Sequence, residues 1–479
     1  MDETASSYRP AGALDIASAL EPYRGRFDER AAAHLLRRAG FGGTPDEIRR
    51  AASGTMAAAV DALISFPATD PLPAAPADLP DDEPMMRGTT LTTDMRVERR
   101  RAERAGFIAS QMWWLDRMLA TPAPLQEKMT LFWHGHFTSA PGKGVTPREM
   151  VNQNALFRNL ALGDVRVLTR SVSYDPAMLK YLDNLRNDRS HPNENYAREL
   201  MELFTLGIGN YTENDVREAA RAWTGIRIRR DTGEPYLSTR LHDDGRKTFL
   251  NQTGNFDGGD IVDIIFQQPA AARFFAAKLL NFFVYNDPEP ELVDATAALL
   301  RKNAFNLRPV MSTLLRSNVF YSPRAYRALV KSPVEFVVGT YRLFGVGQTS
   351  LVALGALRRM GQILFYPPNV KGWPGGSTWL NSSTVLAREN FANSVMTSKN
   401  VDASSWLLAS GPGDPVVAAR NLVDNVLQGD ASPAATARLQ GFLRGDGAAA
   451  LPELSVENFD QRMRGGAYLA MAMPAYQLA

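Results

Sequence analysis

His191-Pro192-Asn193-Glu194-Asn195-Tyr196-Ala197-Arg198-Glu199-Leu200-Met201-Glu202-Leu203-Phe204-Thr205-Leu206-Gly207 has the period of a helix and the surface of a buried one. At about 100° per residue, Asn195, Arg198, Glu199 and Glu202 fall within about a 100° arc. Leu200, Met201, Leu203 and Phe204 spread over the rest of the circumference. A helix apolar nearly all round packs inside a protein, so its polar stripe is expected to face the interior or a cleft. Glu199 and Glu202, about 5–6 Å apart on such a helix, repel by roughly 3 kcal/mol at an effective dielectric of about 20. Arg198, a shared proton or a metal ion is expected to offset that repulsion.

Outward from this stretch, helix signals dominate. Residues 28–39 are amphipathic, with Ala31, Leu35 and Leu36 apolar and Arg37 and Arg38 on the polar side, and Gly40 stops the pattern. Thr44-Pro45-Asp46-Glu47 supplies an N-cap, a proline at the first helical position and a glutamate at the third. Residues 96–119 read as a long helix whose basic start, Arg99 to Arg104, is interleaved with Glu98 and Glu103 as a solvated face. A second helix, 125–133, follows Pro122-Ala123-Pro124. The β signal lies near 224–250, where Gly225–Ile228 and Tyr236–Thr239 flank Asp231-Thr232-Gly233 in a hairpin pattern. Helical periodicity resumes at Gly259. The expected fold is mainly α: a large multi-helix domain with a small β-hairpin excursion. The expected organisation is an N-terminal helical segment (1–66), a Pro/Ala-rich linker or loop (67–92), a main helical domain carrying the site (93–395) and a C-terminal helical segment packed on it (396–479).

Composition narrows the function classes. The 479 residues carry a net charge of +2, which gives no electrostatic argument for a nucleic-acid partner. No apolar run approaches the ~18 residues of a membrane span. Cysteine is absent, which removes disulfides, thiolate ligands and cysteine nucleophiles. Met1 to Pro10 shows no basic, apolar signal-peptide pattern, so the sequence itself leaves localisation unknown.

Several segments together carry a resemblance. They are His34–Gly42 (HLLRRAGFG), Phe132–Phe137 (FWHGHF), Asn193–Leu200 (NENYAREL) through Gly207, Ala220–Gly225 (ARAWTG), His242–Phe249 (HDDGRKTF), Val330–Glu335 (VKSPVE), Pro368–Gly376 (PNVKGWPGG) and the ending Tyr468 to Leu478. In this order, over nearly the whole chain, they resemble domain-of-unknown-function family 1800, a group of bacterial proteins. The resemblance implies no settled activity, and it implies export, since members often carry an N-terminal signal.

Candidate chemistry gathers on few side chains. Of five histidines, His134 and His136 sit two apart at the end of an aromatic helix. On a continuous helix they point about 160° apart, but with Gly135 between them a helix end or extended turn lets both rings face one cavity. His134, His136, His242 and Glu199 form a mixed nitrogen and oxygen set suited to a divalent Zn, Mn or Fe ion. Glu199, Glu202, Arg198 and Lys247 are the candidate catalytic residues: a glutamate as general base on water, a cation stabilising developing negative charge. Asn195, Lys331 and Trp373 are candidate substrate contacts; Trp373 and Trp379 offer flat indoles beside Asn369 and Asn381 for stacking on a sugar ring. Ser332-Pro333-Val334-Glu335 reads as a capping box, which leaves Lys331 free to bind an anionic group near the helix start. His34 reads as a core or capping residue. The expected activity is metal-dependent hydrolysis or group transfer on a polar small molecule, a glycan among them. The competing expectation is a non-catalytic helical scaffold, or a glycan- or protein-binding protein with a buried ion-pair network, in which Arg221 neutralises Glu199 or Glu202.

Overall fold

Proline and short polar caps set where the helices begin. Prolines open the helices at Pro45, Pro124, Pro147, Pro176, Pro269, Pro290 and Pro333, where the missing N–H has no partner to lose. Full capping boxes form at Thr44/Glu47, Thr146/Glu149, Thr212/Asp215 and Ser332/Glu335. The structure, a computed structural model, describes residues 16–80, 92–229, 231–399, 401, 414–446, 455 and 458–479. Among these are 21 α-helices and two two-stranded antiparallel sheets, so the mainly α expectation holds. The sequence readings of Met1–Pro10, of 81–91 and of parts of the C-terminal segment lie outside the described residues.

The predicted hairpin forms between Ile226–Ile228 and Pro235–Leu237, with Arg227 opposite Tyr236. A second hairpin, Lys247–Phe249 with Gln252–Gly254, extends the β excursion beyond 250. Its turn residues, Leu250 and Asn251, both take left-handed backbone, as a two-residue hairpin turn requires. Residues 67–80 have no regular structure but are pinned to the long helix Thr93–Ala120. Trp113 Nε1 donates to the Pro73 carbonyl at 3.1 Å, and Arg117 binds Asp70 at 2.5 Å.

Two large apolar cores fill the interior, beside a small one of Ala32, Ala33 and Ile48. One gathers residues between Ala19 and Ala325; the other gathers the long helix and most elements beyond Val334. The helix Pro124–His136 belongs to both, since Leu125, Met129, Phe132 and Trp133 enter the first and Leu131 enters the second. Beneath it lies an ion network. Glu127, 1% exposed, accepts from Arg158 at 2.6 and 3.0 Å, from Arg117 at 3.3 Å and from Trp114 Nε1 at 3.0 Å. Arg37 and Arg38, read as the polar side of their helix, are buried at 3% and 1%. A moment read from one helix cannot reveal that tertiary neighbours cover its polar side.

Candidate functional site

The helix of the opening stretch is interrupted. An α-helical turn spans Asn195–Glu199, and a π-helical segment, Leu200–Thr205, follows. Leu200, Met201 and Phe204 are buried as predicted, joined by Tyr196 and Ala197, while Leu203 is half-buried. The polar stripe does not face the interior: Asn195 is exposed and Arg198, Glu199 and Glu202 are half-buried. Arg198 is held by Glu194 at 3.1 Å and Glu213 at 2.7 Å. Glu202 accepts from the Tyr211 hydroxyl at 3.2 Å, and Asn195 Nδ2 donates to the Leu182 carbonyl at 3.1 Å. Partial burial raises the Glu199 carboxyl, and the Glu202 charge adds to it, while Lys371 and then Arg198 oppose the rise. Lys371, from a distant loop, is the counter-charge that local sequence could not supply. Arg221 is not: it binds Glu218 at 3.0 Å and Asp243 at 2.7 Å.

The two histidines lie on one continuous helix that runs through His136, so the extended turn expected at Gly135 does not form. Their rings have different surroundings. His134 sits among Trp114, Phe157, Phe365 and Trp373, with ring centroids 5.4–6.3 Å away, and its Nε2 is buried without a partner. His136 packs among Phe137, Phe204, Phe274 and Phe275, and its Nε2 lies 2.9 Å from the Phe204 carbonyl. A carbonyl only accepts, so Nε2 carries the proton and Nδ1 keeps a free lone pair with no partner. This bond also satisfies a carbonyl left over at the end of the π-helical segment. The histidines and the glutamate helix therefore meet, but through backbone. Burial holds both imidazoles neutral, with pKa values near about 3.

The other candidates serve the fold. His242 donates through Nδ1 to the Thr224 carbonyl at 2.9 Å. Lys247 donates to the Asp243 and Gly245 carbonyls at 2.5 and 3.1 Å, closing the loop that leads into the second hairpin. His34 Nε2 donates to the Phe320 carbonyl at 2.8 Å, in the core as expected. Lys331 places its ammonium 3.9 Å from the Tyr476 ring centre, not on an anion. Among the described residues no three His, Asp or Glu side chains group to hold a metal ion. His134, His136, His242 and Glu199 thus do not fit as one ligand set.

A different cleft collects the unsatisfied chemistry. It encloses about 280 Å³ at the seam between the two cores. The histidine helix lines one wall with Phe132, Gly135 and His136, and the helix Pro269–Phe283 lines another with Lys278, Asn281 and Phe282. Arg38 and Glu335 also line it, and the loop Lys371–Trp379 closes it with half-buried Trp373 and Trp379. Gly372 lets that loop seat directly on the helix: its backbone is left-handed, and a Cβ there would collide with the Gly135 carbonyl.

Trp373, a candidate substrate contact read from its loop, lines this cleft; Arg38, Lys278, Asn281 and Lys371 line it too and carried no such signal in the sequence. Arg38 and Lys371 stand inside quoted segments, but nothing local distinguishes a cleft-lining cation from a solvated one. Four of those segments, His34–Gly42, Phe132–Phe137, Val330–Glu335 and Pro368–Gly376, all contribute lining. Among the described residues no helix is long and apolar enough to cross a membrane. A family model described as "Protein of unknown function (DUF1800)" matches residues 34–478. No curated protein matches the chain, and no solved structure does.

Proposed function

We propose, for a chain that belongs to the DUF1800 family of proteins of unknown function, that the cleft beside the histidine helix binds a polar small molecule of the glycan class. One observation carries this reading. Two indoles line one concave space together with Arg38 and His136, each of which carries buried polar atoms without a partner. An indole face stacks on the apolar face of a sugar ring, while Asn281, Gln362 and the free Nδ1 of His136 suit its hydroxyls. Tryptophan fluorescence titrated with short neutral oligosaccharides tests it. At least one should give a saturable change, weakened about tenfold or more in Trp373→Ala. The reading fails if none saturates, or if the folded variant binds as the parent does.

A second reading, hydrolysis or group transfer on that ligand, draws on His136. Its ring lines the cleft and its unprotonated Nδ1 is buried without a partner, so a hydroxyl or a water that reaches it finds a free acceptor. With a bound glycan as substrate, His136→Gln is expected to abolish turnover yet leave affinity within about threefold, because Gln can still donate to Phe204. Equal turnover in both proteins would leave the cleft a binding site alone.

A further inference from the structure

The floor of the cleft carries more positive charge than the fold neutralises. Arg38 is 1% exposed and donates through Nη2 to the Val284 and Ala325 carbonyls, the latter at 2.6 Å. Its Nε and Nη1 are buried with no acceptor. Arg37, which has Asp430 as a counter-charge, and Lys128 are buried beside it, and among the described residues Glu335 is the one carboxylate lining the cleft. Both oxygens of Glu335 are engaged already. Oε1 accepts from Lys128, and Oε2 accepts from the Ser332 backbone N–H at 2.6 Å. A buried guanidinium with open N–H groups and no carboxylate of its own is costly, and a bound anion is what removes that cost. At the mouth stand two exposed lysines, Lys278 and Lys371, which draw anions inward.

We propose that Arg38, with Lys278 at the mouth, forms an oxyanion subsite, so that the glycan held in the cleft is an acidic one bearing a carboxylate, phosphate or sulfate. The proposal rests on the glycan reading above and narrows its ligand class. Arg38 supplies charge-assisted donors at the floor, and Trp373 and Trp379 stack the ring that carries the anion.

The test uses the full chain and simple probes at constant ionic strength, with chloride as the balancing ion. Acetate, inorganic phosphate and inorganic sulfate are titrated while thermal stability is followed. At least one should stabilise the protein saturably, and its apparent affinity should fall about tenfold or more in Arg38→Gln. Which probe binds identifies the acidic group. Lys278→Gln, at an exposed position, gives a second reading should Arg38→Gln not fold, with a loss of about threefold. Equal responses in the parent and both variants, or no saturable response to any probe, overturn the subsite. Neutral oligosaccharides titrated into the parent beside the three anions separate the two ideas. Sugar binding in a parent that responds to no anion probe rejects the subsite and keeps the cleft, whereas a parent that binds no sugar rejects the cleft itself.

Discussion

Replacing Glu127 by Gln is expected to lower the unfolding free energy by about 3–5 kcal/mol, among the largest losses a single change in this chain can give. The substitution keeps the shape and the acceptor for Trp114 but removes the charge that two buried guanidiniums share. Arg117 retains Asp70, so Arg158, 6% exposed, is the group left without a carboxylate. Removing one partner of a buried pair exposes the full desolvation cost of the other, which is why the effect exceeds that of a surface ion pair several-fold. Urea unfolding of parent and variant measures it. The double variant Glu127→Gln/Arg158→Met should recover part of the loss, since both charges are then gone. A loss below about 1 kcal/mol in the single variant would show that the network contributes packing rather than charge pairing.

Acidification is the second large effect. Burial pushes the His134 and His136 imidazoles down to about 3 and His34 well below its ordinary range. For each, the unfolded chain binds a proton that the folded chain refuses below about pH 6.5, so stability falls with pH by about 1.4 kcal/mol per unit per histidine. Asp175 works the other way. Burial raises its carboxyl to about 7, so its folded form takes up a proton first and regains about 1.4 kcal/mol per unit as the pH drops below 7. Half-buried Glu199 adds in the sense of Asp175. Between pH 7 and pH 5, His134 and His136 together outweigh Asp175 by about 1–2 kcal/mol, and His34 adds to that loss. Urea unfolding at the two pH values checks the sum, and His134→Gln should shrink the difference by about 2 kcal/mol. Stability that is level or rising over this interval would contradict the assignment of neutral buried imidazoles.

The contrast between what local sequence reveals and what it hides is sharpest at Glu335 and Glu47. Each is legible as the third residue of a capping box, because that bond closes within four residues. Each also binds a distant cation, Lys128 in one case and Arg342 at 2.8 Å in the other, and nothing in the local pattern names those partners. The same division runs through the site. The hairpin, the long helix and the buried face of the glutamate segment follow from periodicity. The π-helical turn, the outward polar stripe and the meeting of His136 with Phe204 follow from packing between elements far apart in the chain. Lys371 and Arg38 gave no sign in the sequence of lining a cleft for that reason, whereas Trp373 stood out through an unusual loop.

The helix Pro124–His136 is shared by two hydrophobic cores, with neighbouring Leu131 and Phe132 pointing into different ones. A segment used twice cannot be released by one half while the other stays whole. Its backbone amides should therefore exchange with solvent only when the entire molecule opens, making them the slowest-exchanging in the chain and the two halves one cooperative unit. The walls of the cleft are then as long-lived as the fold itself.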